Sequence, residues 1–447
     1  MLYRVGLLMV AIVGGGLAGL STAYHLLDSV PGGGGNDRVN VSSSSSSSSS
    51  SRAAGGGMHI TIFDKANVGE GGASSVAGGL IHPFSPSGKL VHFGVAALDK
   101  SNILIDLASK YQPQCSLRPN LYRIALSADN RDQLRRSADQ CPNLATWLSE
   151  ECVREKLGIS SSFGGLEMGN GCRAIHVPAY LRGLFDECVT KARSVAGSSI
   201  RWELVRMPSS REEGRTAMQR CDEPREEETN ESWDDVESMN RHLAKYDVVI
   251  LSAGADILRD RLVDGGERRL PVQLVRGQSI EITSLTTTTT DENGIPNEAL
   301  LCGKYVSPLP SDDTTNNSSS SRRFVIGATH EFKDDPLNAE EVIDELKSRT
   351  YELAKSLWDS GTIDRVTSGV RLQTHRGRFG RMPIVGRYIN NGADGVRHRN
   401  SWIFTGLSSR GLLYHGLFAS WLANAVLHDD EEKLRDEFAE FDWWRTS

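Results

Sequence analysis

Residues 10–23 contain the feature that most restricts the fold of this chain. Residues 10–13 form a continuous apolar run rich in β-branched side chains, which is typical of a strand buried on both faces. Gly14, Gly16 and Gly19 follow at the spacing Gly-x-Gly-x-x-Gly, and a helical pattern begins at once. In such a turn the first glycine permits a tight bend, the second lets the backbone approach a pyrophosphate, and the third brings helix and strand together. The segment therefore predicts a dinucleotide-binding turn, and the alternative is a purely structural one.

An acidic residue at the end of the second strand supports the dinucleotide prediction, because such a residue binds the ribose hydroxyls. Residues 59–64 form this strand, which ends at Asp64. Asp64 follows Gly19 by 45 residues, whereas the usual separation is about 20. Residues 31–57 account for the excess, since they consist largely of glycine and serine runs that predict a flexible insert. Without this insert the spacing is ordinary.

Composition excludes several classes of protein. The 447 residues suffice for more than one domain, and the formal charge of −7 opposes nonspecific attraction to nucleic acid. The seven cysteines include no Cys-x-x-Cys pair, so we expect neither a metal site nor a disulfide framework, and a reducing compartment fits. Residues 5–13 are interpreted as the first strand, not as a signal peptide, and no other stretch approaches the ~20 apolar residues of a membrane span. We therefore expect a cytoplasmic protein without membrane contact, or an organellar one if the sequence lacks N-terminal residues.

Three further segments combine strand or loop patterns with small residues. Residues 69–83 form a glycine- and serine-rich loop that offers backbone N–H groups and hydroxyls to a phosphate or ring edge, and the alternative is a plain flexible loop. Residues 246–255 predict a buried strand with small residues at its carboxyl end, where a cofactor can lie. Residues 401–405 predict another strand, which leads through Gly406 into a long helix. The N-terminal dipole of that helix suits an electron-rich ring oxygen.

The remaining segments alternate between helical and strand patterns. Helices are predicted at residues 93–111 and 179–195, and a third helix follows the capping box of Asn338 and Glu341 and continues to about residue 357. Strands are predicted at residues 121–126, 201–205, 271–282, 305–309 and 323–329. Residues 209–240 are rich in Glu, Asp and Arg and predict a solvated excursion. Residues 286–290 and 311–321 are polar tracts expected at hairpin tips.

The order of these segments resembles the FAD-dependent amine and amino-acid oxidoreductases of the D-amino-acid oxidase family, over nearly the whole chain outside the inserts. The matching residues are Gly14, Gly16, Gly19 and Ala23 in the first turn, Asp64, Ala73, Ser74, Gly79 and Pro83 in the second loop, and residues 252–255, 276–278, 369–371, 383–386 and 406–412. Within the family, residues 276–278, 305–308 and 406–412 are similar to the oxidoreductase half of bacterial bifunctional enzymes that modify a wobble uridine of tRNA.

The resemblance implies an α/β fold with a Rossmann-like FAD-binding domain of the glutathione-reductase type. It also implies a discontinuous α+β substrate domain built on a mostly antiparallel sheet. The FAD-binding domain is expected to comprise residues 9–88, 176–258 and 366–447, with the inserts 31–57 and 209–240, and the substrate domain residues 89–175 and 259–365. The implied FAD is noncovalent, because Val76 stands where one branch of the family has a flavin-bearing histidine. The candidate cofactor-binding residues are Gly14, Gly15, Gly16, Leu17, Ala18, Gly19, Asp64, Lys65, Ala73, Ser74, Ser75, Gly78, Gly79, Ala253, Gly254, Gly406, Leu407, Ser408, Arg410 and Gly411.

The resemblance also implies an activity, the oxidation of the C–N bond of an amino acid or N-substituted amine by hydride transfer to FAD. The imine is then hydrolysed, and oxygen or an electron-transfer acceptor takes the electrons. Arg371 is the candidate for binding a substrate carboxylate bidentately, and its alternative role is an ordinary surface ion pair. His82 and Tyr305 are weaker catalytic candidates, for which a packing role is the alternative. Arg410 is expected either to neutralise charge near the flavin or to cap its own helix.

Two departures from the family pattern concern the substrate side. Ser408 stands where glycine is frequent, and the eight residues 375–382 replace a segment that is usually about half as long. This longer wall brings in His375, Arg376, Arg378 and Arg381. Two other functions therefore stay open. One is modification of a tRNA base, which the acidic charge balance disfavours, and the other is a noncatalytic FAD-bound assembly factor, which the altered wall favours.

Overall fold

A computed structural model describes residues 7–30, 56–205, 233, 236–259, 262, 270–285, 297–310, 321–332, 335–388 and 400–445. Its strands are β1 (Leu8–Val13), β2 (Met58–Asp64), β3 (Leu80–Ile81), β4 (Ser116–Arg118), β5 (Leu121–Ile124), β6 (Ala145–Leu148), β7 (Gly165–Met168), β8 (Arg173–Ile175), β9 (Ser199–Leu204), β10 (Val248–Leu251), β11 (Val272–Leu285), β12 (Ala299–Leu301), β13 (Tyr305–Pro308), β14 (Ser321–Gly327), β15 (Thr362–Thr374), β16 (Ile384–Arg387) and β17 (Ser401–Thr405). Its helices are α1 (Leu17–Asp28), α2 (Gly72–Ser75), α3 (Gly94–Ser109), α4 (Ala128–Gln140), α5 (Glu150–Leu157), α6 (Val177–Ser194), α7 (Val236–Leu243), α8 (Asp256–Arg259), α9 (Ala339–Thr350), α10 (Lys355–Ser360), α11 (Gly411–His428) and α12 (Glu432–Glu437).

The first sheet has six strands in the order β16-β17-β10-β1-β2-β9. Every neighbouring pair is parallel except β16 with β17. Because successive side chains of a strand point to opposite faces, β1 contributes to two cores. Ile12 packs with Leu20 of α1 and Leu417 of α11 on one face, whereas Val13 packs with Met239 of α7 on the other. This three-layer arrangement confirms the predicted Rossmann-like α/β fold.

The second sheet has eight strands in the order β15-β11-β14-β13-β12-β5-β7-β6. Only the pair β12–β5 is parallel, so the sheet is mostly antiparallel, as predicted. Side chains of α9 and α10, such as Leu346 and Leu357, pack against Ile280 of β11 in a separate core on one face of this sheet. The opposite face of the second sheet is not covered by this core, so a functional site can lie there.

The carboxyl ends of β1, β2, β10 and β17 meet at one edge of the first sheet, because these strands run parallel. Gly14, Ser252 and Gly406 follow β1, β10 and β17 directly, and Asp64 is the last residue of β2. In open parallel sheets, ligands bind outside the carboxyl ends of the strands. The segments singled out in the sequence therefore converge at the edge where a cofactor is expected.

Two local predictions were wrong. The polar tract 286–290 was expected at a hairpin tip, but it joins β11 to β12, which are separated in the sheet by β14 and β13. The excursion 209–240 was expected to be solvated throughout, but Trp233 and Met239 are buried against the first sheet, and α7 begins at residue 236. The charged composition of that segment concealed the apolar positions by which it packs.

The helix expected to continue to about residue 357 ends earlier, at Thr350. The Thr350 hydroxyl donates to the Leu346 carbonyl at 2.7 Å and accepts from the Trp358 indole N–H at 3.1 Å. The chain therefore turns at Tyr351–Leu353 before α10 begins, which brings Trp358 back onto α9. Residues 31–55, 206–232, 286–296 and 311–320, which hold the predicted inserts and tips, lie outside the described residues.

Two elements cross the expected domain limits, and the division into domains remains a prediction. α3 falls in the range 89–175 expected for the substrate domain, yet its Ser101 hydroxyl donates to the Leu413 carbonyl of α11 at 2.9 Å. β15 spans the boundary expected at 365–366 as one continuous strand of the second sheet. No helix in the described parts of the chain has the length and apolar character needed to cross a membrane.

The predicted capping box at α9 is confirmed, and it supports a stability test. Asn338 Oδ1 accepts from the Glu341 backbone N–H at 3.0 Å, and Glu341 Oε2 accepts from the Asn338 N–H at 2.9 Å. Asn338→Ala should lower the free energy of unfolding by about 1 kcal/mol, because a first-turn N–H loses its acceptor. The measurement is the midpoint of urea unfolding, and Asn338→Ser, which retains an acceptor oxygen, is the control. Equal losses in both variants would contradict the role of the cap.

Candidate functional site

A cavity of about 1170 Å³ lies at the carboxyl edge of the first sheet and is also lined by the second sheet. All the predicted site residues except Gly15 and Gly19 line it. They are Gly14, Gly16, Leu17, Ala18, Asp64, Lys65, Ala73, Ser74, Ser75, Gly78, Gly79, His82, Ala253, Gly254, Tyr305, Arg371, Gly406, Leu407, Ser408, Arg410 and Gly411. The structure thus brings together residues from distant parts of the sequence.

Gly15 and Gly19, the two predicted residues that do not line the cavity, pack closely against other parts of the protein. A Cβ at Gly15 would lie 1.9 Å from the Trp202 ring, and one at Gly19 would lie 1.9 Å from the Gly14 carbonyl oxygen. Gly14 itself has φ of 101°, in the region that favours glycine. Glycine is therefore required at position 14 by backbone conformation and at positions 15 and 19 by close packing.

The N-terminus of α1 is arranged to bind an anion. Gly16 is its N-cap, has no side-chain capping bond, and is followed by no acidic residue in the first turn. The Leu17 N–H makes a long contact of 3.5 Å with the Ser74 hydroxyl. First-turn N–H groups lack partners within their own helix, and together with the helix dipole they bind phosphate. This end of the cavity fits the pyrophosphate of a dinucleotide.

The Asp64 carboxylate lies beside the glycine turn, where a ribose is predicted. Its Oδ2 accepts from the Gly15 N–H at 2.7 Å, and its Oδ1 accepts from the Ala66 N–H at 3.0 Å. Burial raises the pKa of Asp64, while these backbone N–H groups oppose that rise. A carboxylate oxygen accepts more than one hydrogen bond, so each retains capacity for a hydroxyl of the ligand.

These observations fit FAD. The cavity exceeds the roughly 300–1,000 Å³ of ordinary small-ligand sites, which leaves room for a dinucleotide together with a small substrate. Thr405 Oγ1 and Arg371 Nε are buried and have no hydrogen-bond partner within the described part of the chain. Both residues also line the cavity, so a bound cofactor or substrate would lie beside them. Val76 lines the cavity and offers no nucleophile to the flavin.

Arg371 lies on β15 opposite Val275 of β11. Its Nη2 donates to His330 Nδ1 at 2.8 Å. Burial, followed by the charges of Arg371 and Arg381, lowers the pKa of His330, which keeps this imidazole neutral and able to accept. No ion pair joins Arg371 to a carboxylate among the described residues, so the surface ion pair considered as its alternative role is not what the structure contains.

Tyr305 and His82 line the cavity in different ways. The Tyr305 hydroxyl lies 3.1 Å from the Ser279 hydroxyl, and burial raises the pKa of Tyr305, so it stays protonated. His82 Nδ1 accepts from the Phe84 backbone N–H at 3.2 Å, and burial, then the charge of Arg123, lowers the pKa of His82 far below its usual value. The bond to Phe84 supports the packing role that was the alternative for His82, and both catalytic assignments remain predictions.

Ser408 and Arg410 occupy the turn before α11. Ser408 has φ of 56°, which explains in physical terms why glycine suits this position. Its Oγ accepts from the Thr374 N–H at 3.2 Å and donates to the Gly406 carbonyl at 3.2 Å, and both bonds help to hold it there. Arg410 is the N-cap residue of α11 but makes no side-chain capping bond, and it lines the cavity, so its role near the flavin stays a prediction.

The longer wall, residues 375–382, is a tight hairpin. Gly377 and Gly380 exchange backbone hydrogen bonds of 2.9 and 3.0 Å. Phe379 packs on His92 and Phe438, with ring centroids 4.5 and 5.5 Å apart. Arg381 donates through Nη1 to the Thr374 carbonyl. The wall is thus held against His92, against Phe438 just after α12, and against the end of β15.

Sequence reasoning missed three residues that support the site, His330, Ser279 and Trp202. His330 lies three residues after the end of β14 and so was accessible as a polar residue near a strand end. Ser279 supports the site through its contact with Tyr305 on another strand. Trp202 supports it by packing against the glycine turn, and it also donates to the Ala66 carbonyl at 3.1 Å. Only the strand pairing shows that they contact Tyr305 and the glycine turn.

Gly19→Ala should weaken FAD binding. The added Cβ has no room beside the Gly14 carbonyl, so the turn must shift, and overpacking of this kind costs about 1–3 kcal/mol, or roughly 5- to 140-fold in affinity if the whole cost falls on the bound state. The measurement is the ratio of flavin to protein absorbance after gel filtration. Gly169→Ala is the control, because its Cβ would meet nothing nearer than 3.4 Å. Full flavin retention by Gly19→Ala would contradict the packing argument.

Comparisons with known proteins agree with the geometry. The chain is similar in structure to glycine oxidase from Geobacillus kaustophilus, at 18% identity and a TM-score of 0.60, over 94% of this chain and 95% of that one. It is similar to iminodiacetate oxidase from Chelativorans sp. BNC1, at 16% identity and a TM-score of 0.58, over 94% and 95% of the two chains. L-α-glycerophosphate oxidase from Mycoplasma pneumoniae, a structure with FAD bound, matches at 15% identity and a TM-score of 0.57, over 94% and 95%.

These structural similarities establish the fold. A comparison with curated proteins finds no match for the sequence. The model of the DAO family, described as FAD dependent oxidoreductase, matches residues 9–425, which is most of the chain. This chain therefore belongs to the DAO family of FAD-dependent oxidoreductases.

Proposed function

We propose that this protein oxidises the C–N bond of a small amino acid or N-substituted amino acid. The observation that carries the proposal is Arg371, a half-buried guanidinium on the wall of the FAD cavity that has a neutral histidine as its partner and no carboxylate partner among the described residues. A guanidinium in this state suits a substrate carboxylate, which it binds with two parallel hydrogen bonds. The structural similarity to glycine oxidase and iminodiacetate oxidase supports the same choice of substrate.

The residues that would hold FAD belong mostly to the first sheet. The N-terminus of α1 would bind the pyrophosphate, Asp64 the ribose, and the segments at Ser74, Gly254 and Gly406 the remainder. When bound, FAD supplies a two-electron acceptor for the hydride that leaves the substrate carbon. We further propose that it is bound noncovalently, because Val76 offers no attachment point.

The cationic surroundings of Arg371 would favour the reactive form of the amine. Arg410 lines the same cavity as Arg371, and positive charges near a bound amine destabilise the ammonium relative to the neutral amine. A neutral amine has the lone pair that assists loss of hydride from the adjacent carbon. Tyr305, which stays protonated, would donate a hydrogen bond and would not act as a base.

The reaction balances without a metal ion or a further cofactor. The substrate loses a hydride to FAD and a proton to solvent, which leaves a C=N bond. Water adds to this imine and releases an amine and a carbonyl compound. Oxygen or an electron-transfer acceptor then takes the two electrons, and the structure favours neither. A tRNA substrate and a noncatalytic role are the alternatives, and neither predicts that a small amino acid reduces the flavin.

An anaerobic absorbance titration of the FAD-loaded protein with free and N-methyl amino acids tests the proposal. Bleaching of the oxidised flavin band by at least one of these compounds is the expected result. Admission of air then distinguishes oxidase from dehydrogenase, because only an oxidase regains its oxidised spectrum at once. A flavin that none of these compounds reduces would contradict amine oxidation and favour the alternatives.

Arg371→Gln should raise KM for carboxylate substrates by about 10- to 100-fold, since hydrogen bonds to a charged group contribute about 1.5–3 kcal/mol. Arg371→Lys should recover little of the loss, because a point charge does not form the bidentate contact. The control substrate is the corresponding amine without a carboxylate, whose kcat/KM should be similar in both variants and the original protein. An unchanged KM for the carboxylate substrate would refute the assignment of Arg371.

The noncovalent attachment of FAD has its own test. Acid precipitation of the loaded protein should leave all the yellow flavin in the supernatant, because no bond joins it to the chain. Flavin absorbance retained in the washed protein pellet would show a covalent link and contradict the role given to Val76.

A further inference from the structure

We propose that Glu331 is a positioning residue for Arg371. From the face of the second sheet that points away from the cavity, it fixes His330, and His330 orients the Arg371 guanidinium. The proposal rests on the proposed function, because it takes Arg371 to bind the substrate carboxylate. His330 and Arg371 line the cavity, whereas Glu331 lies outside its lining. Any effect of Glu331 on the substrate must therefore pass through these two residues.

The segment after β14 pairs with β11 at two points on either side of His330. The Thr329 N–H donates to the Gln278 carbonyl at 2.9 Å. Glu331 and Arg276 exchange two backbone hydrogen bonds of 2.9 Å each. Because successive side chains of an extended chain point to opposite faces, His330 faces the cavity and Glu331 faces away from it.

The Glu331 carboxylate reinforces this pairing. The Gln278 amide nitrogen donates to its Oε1 at 3.2 Å, and the Leu337 backbone N–H donates to its Oε2 at 3.2 Å. The Thr329 hydroxyl accepts from the Gln278 backbone N–H at 2.8 Å and donates its own proton to Glu331 Oε1. Thr329 and Gln278 are buried, so these bonds form in a site of low dielectric constant. The carboxylate thus ties the segment to β11 and to the residue before the cap of α9.

On the cavity face, His330 meets Arg371 across a glycine of β11. Arg371 Nη2 donates to His330 Nδ1 at 2.8 Å. A Cβ at Gly277 would lie 3.2 Å from Arg371 Nη1, so the guanidinium passes close over the glycine backbone. The imidazole holds one edge of the guanidinium, and the remaining N–H donors stay available for a carboxylate.

The expected benefit is that Arg371 is already oriented when the substrate arrives. Without a fixed His330, the long arginine side chain would have to be ordered during binding, which weakens carboxylate binding by about 2- to 12-fold. The guanidinium–carboxylate bonds would still form, so this loss is smaller than the loss expected for Arg371→Gln. Glu331 does not touch the reacting atoms, so its loss should raise KM and leave kcat unchanged.

Binding of the unreactive carboxylate methoxyacetate to the FAD-loaded protein tests the proposal without turnover. The change in the flavin spectrum gives Kd. Glu331→Gln should raise Kd by about 2- to 12-fold, because its amide NH₂ would face the N–H donors of Gln278 or Leu337. The neutral probe methoxyacetamide should bind equally to the variant and the original protein. An unchanged Kd for methoxyacetate would overturn the proposal.

Glu341→Gln is the matched control. Glu341 also accepts from a backbone N–H, that of Asn338 at 2.9 Å, but it belongs to the cap of α9 and not to the segment that carries His330. This variant should leave the Kd for methoxyacetate unchanged. An equal rise in both variants would show a general effect of lost charge near α9 and contradict the role of Glu331.

A double-mutant cycle tests whether Glu331 acts through Arg371. In the Arg371→Gln protein, Glu331→Gln should cause no further loss of methoxyacetate affinity, because the side chain that it positions has been removed. A merely structural role would lower affinity by the same factor with or without Arg371. Losses that add in this way would overturn the proposal.

Two substitutions of His330 test the same path without altering the buried network, since His330 is exposed. His330→Asn keeps an acceptor near the position of Nδ1 and should bind methoxyacetate nearly as well as the original protein. His330→Leu keeps none and should show the loss expected for Glu331→Gln. If Glu331→Gln fails to fold, this pair decides, and equal affinity in both His330 variants would overturn the proposal.

Turnover separates this proposal from the proposed function. With an amino acid that reduces the flavin, Glu331→Gln should raise KM and leave kcat unchanged. A lower kcat at unchanged KM would contradict positioning of the carboxylate-binding arginine. If no amino acid reduces the flavin while the binding results hold, the proposed function fails and the positioning role of Glu331 stands.

Discussion

The packing of the Gly14 turn between three strands is the constraint on which the rest of the site depends. The Ser252 hydroxyl, after β10, donates to the Gly14 carbonyl at 2.8 Å and to the Val13 carbonyl at 3.1 Å. Asp64, at the end of β2, accepts from the Gly15 N–H at 2.7 Å. These bonds join the carboxyl ends of β1, β2 and β10 and aim the start of α1 at the cavity. The proposed anion site depends on these bonds, which hold the strand ends against the turn.

The two sheets divide the chemistry between them. The first sheet presents backbone N–H groups and small residues, which suit an extended, polar cofactor. The second sheet presents Tyr305 and Arg371 from β13 and β15, on the face opposite to the core of α9 and α10. Since rigid strands carry both residues, their positions are set by sheet register and not by loop conformation.

Much of the first sheet was predictable, because its strands are short apolar runs that end in small or acidic residues. The glycine spacing and Asp64 identified the cofactor site even across a long insert. The order of the second sheet was not predictable, since β11 pairs with β14 and not with β12, a non-local choice that no local pattern encodes. His330 was missed for the same reason. It meets Arg371 only because β14 and β15 both pair with β11.

A crystal structure of the FAD-loaded protein with methoxyacetate would test the central claim most directly. Methoxyacetate replaces the nitrogen of N-methylglycine with oxygen and should bind without reacting. The account predicts the FAD pyrophosphate at the N-terminus of α1 and the methoxyacetate carboxylate about 3 Å from the Arg371 guanidinium. A carboxylate bound elsewhere in the cavity, with Arg371 in contact with His330 alone, would contradict it.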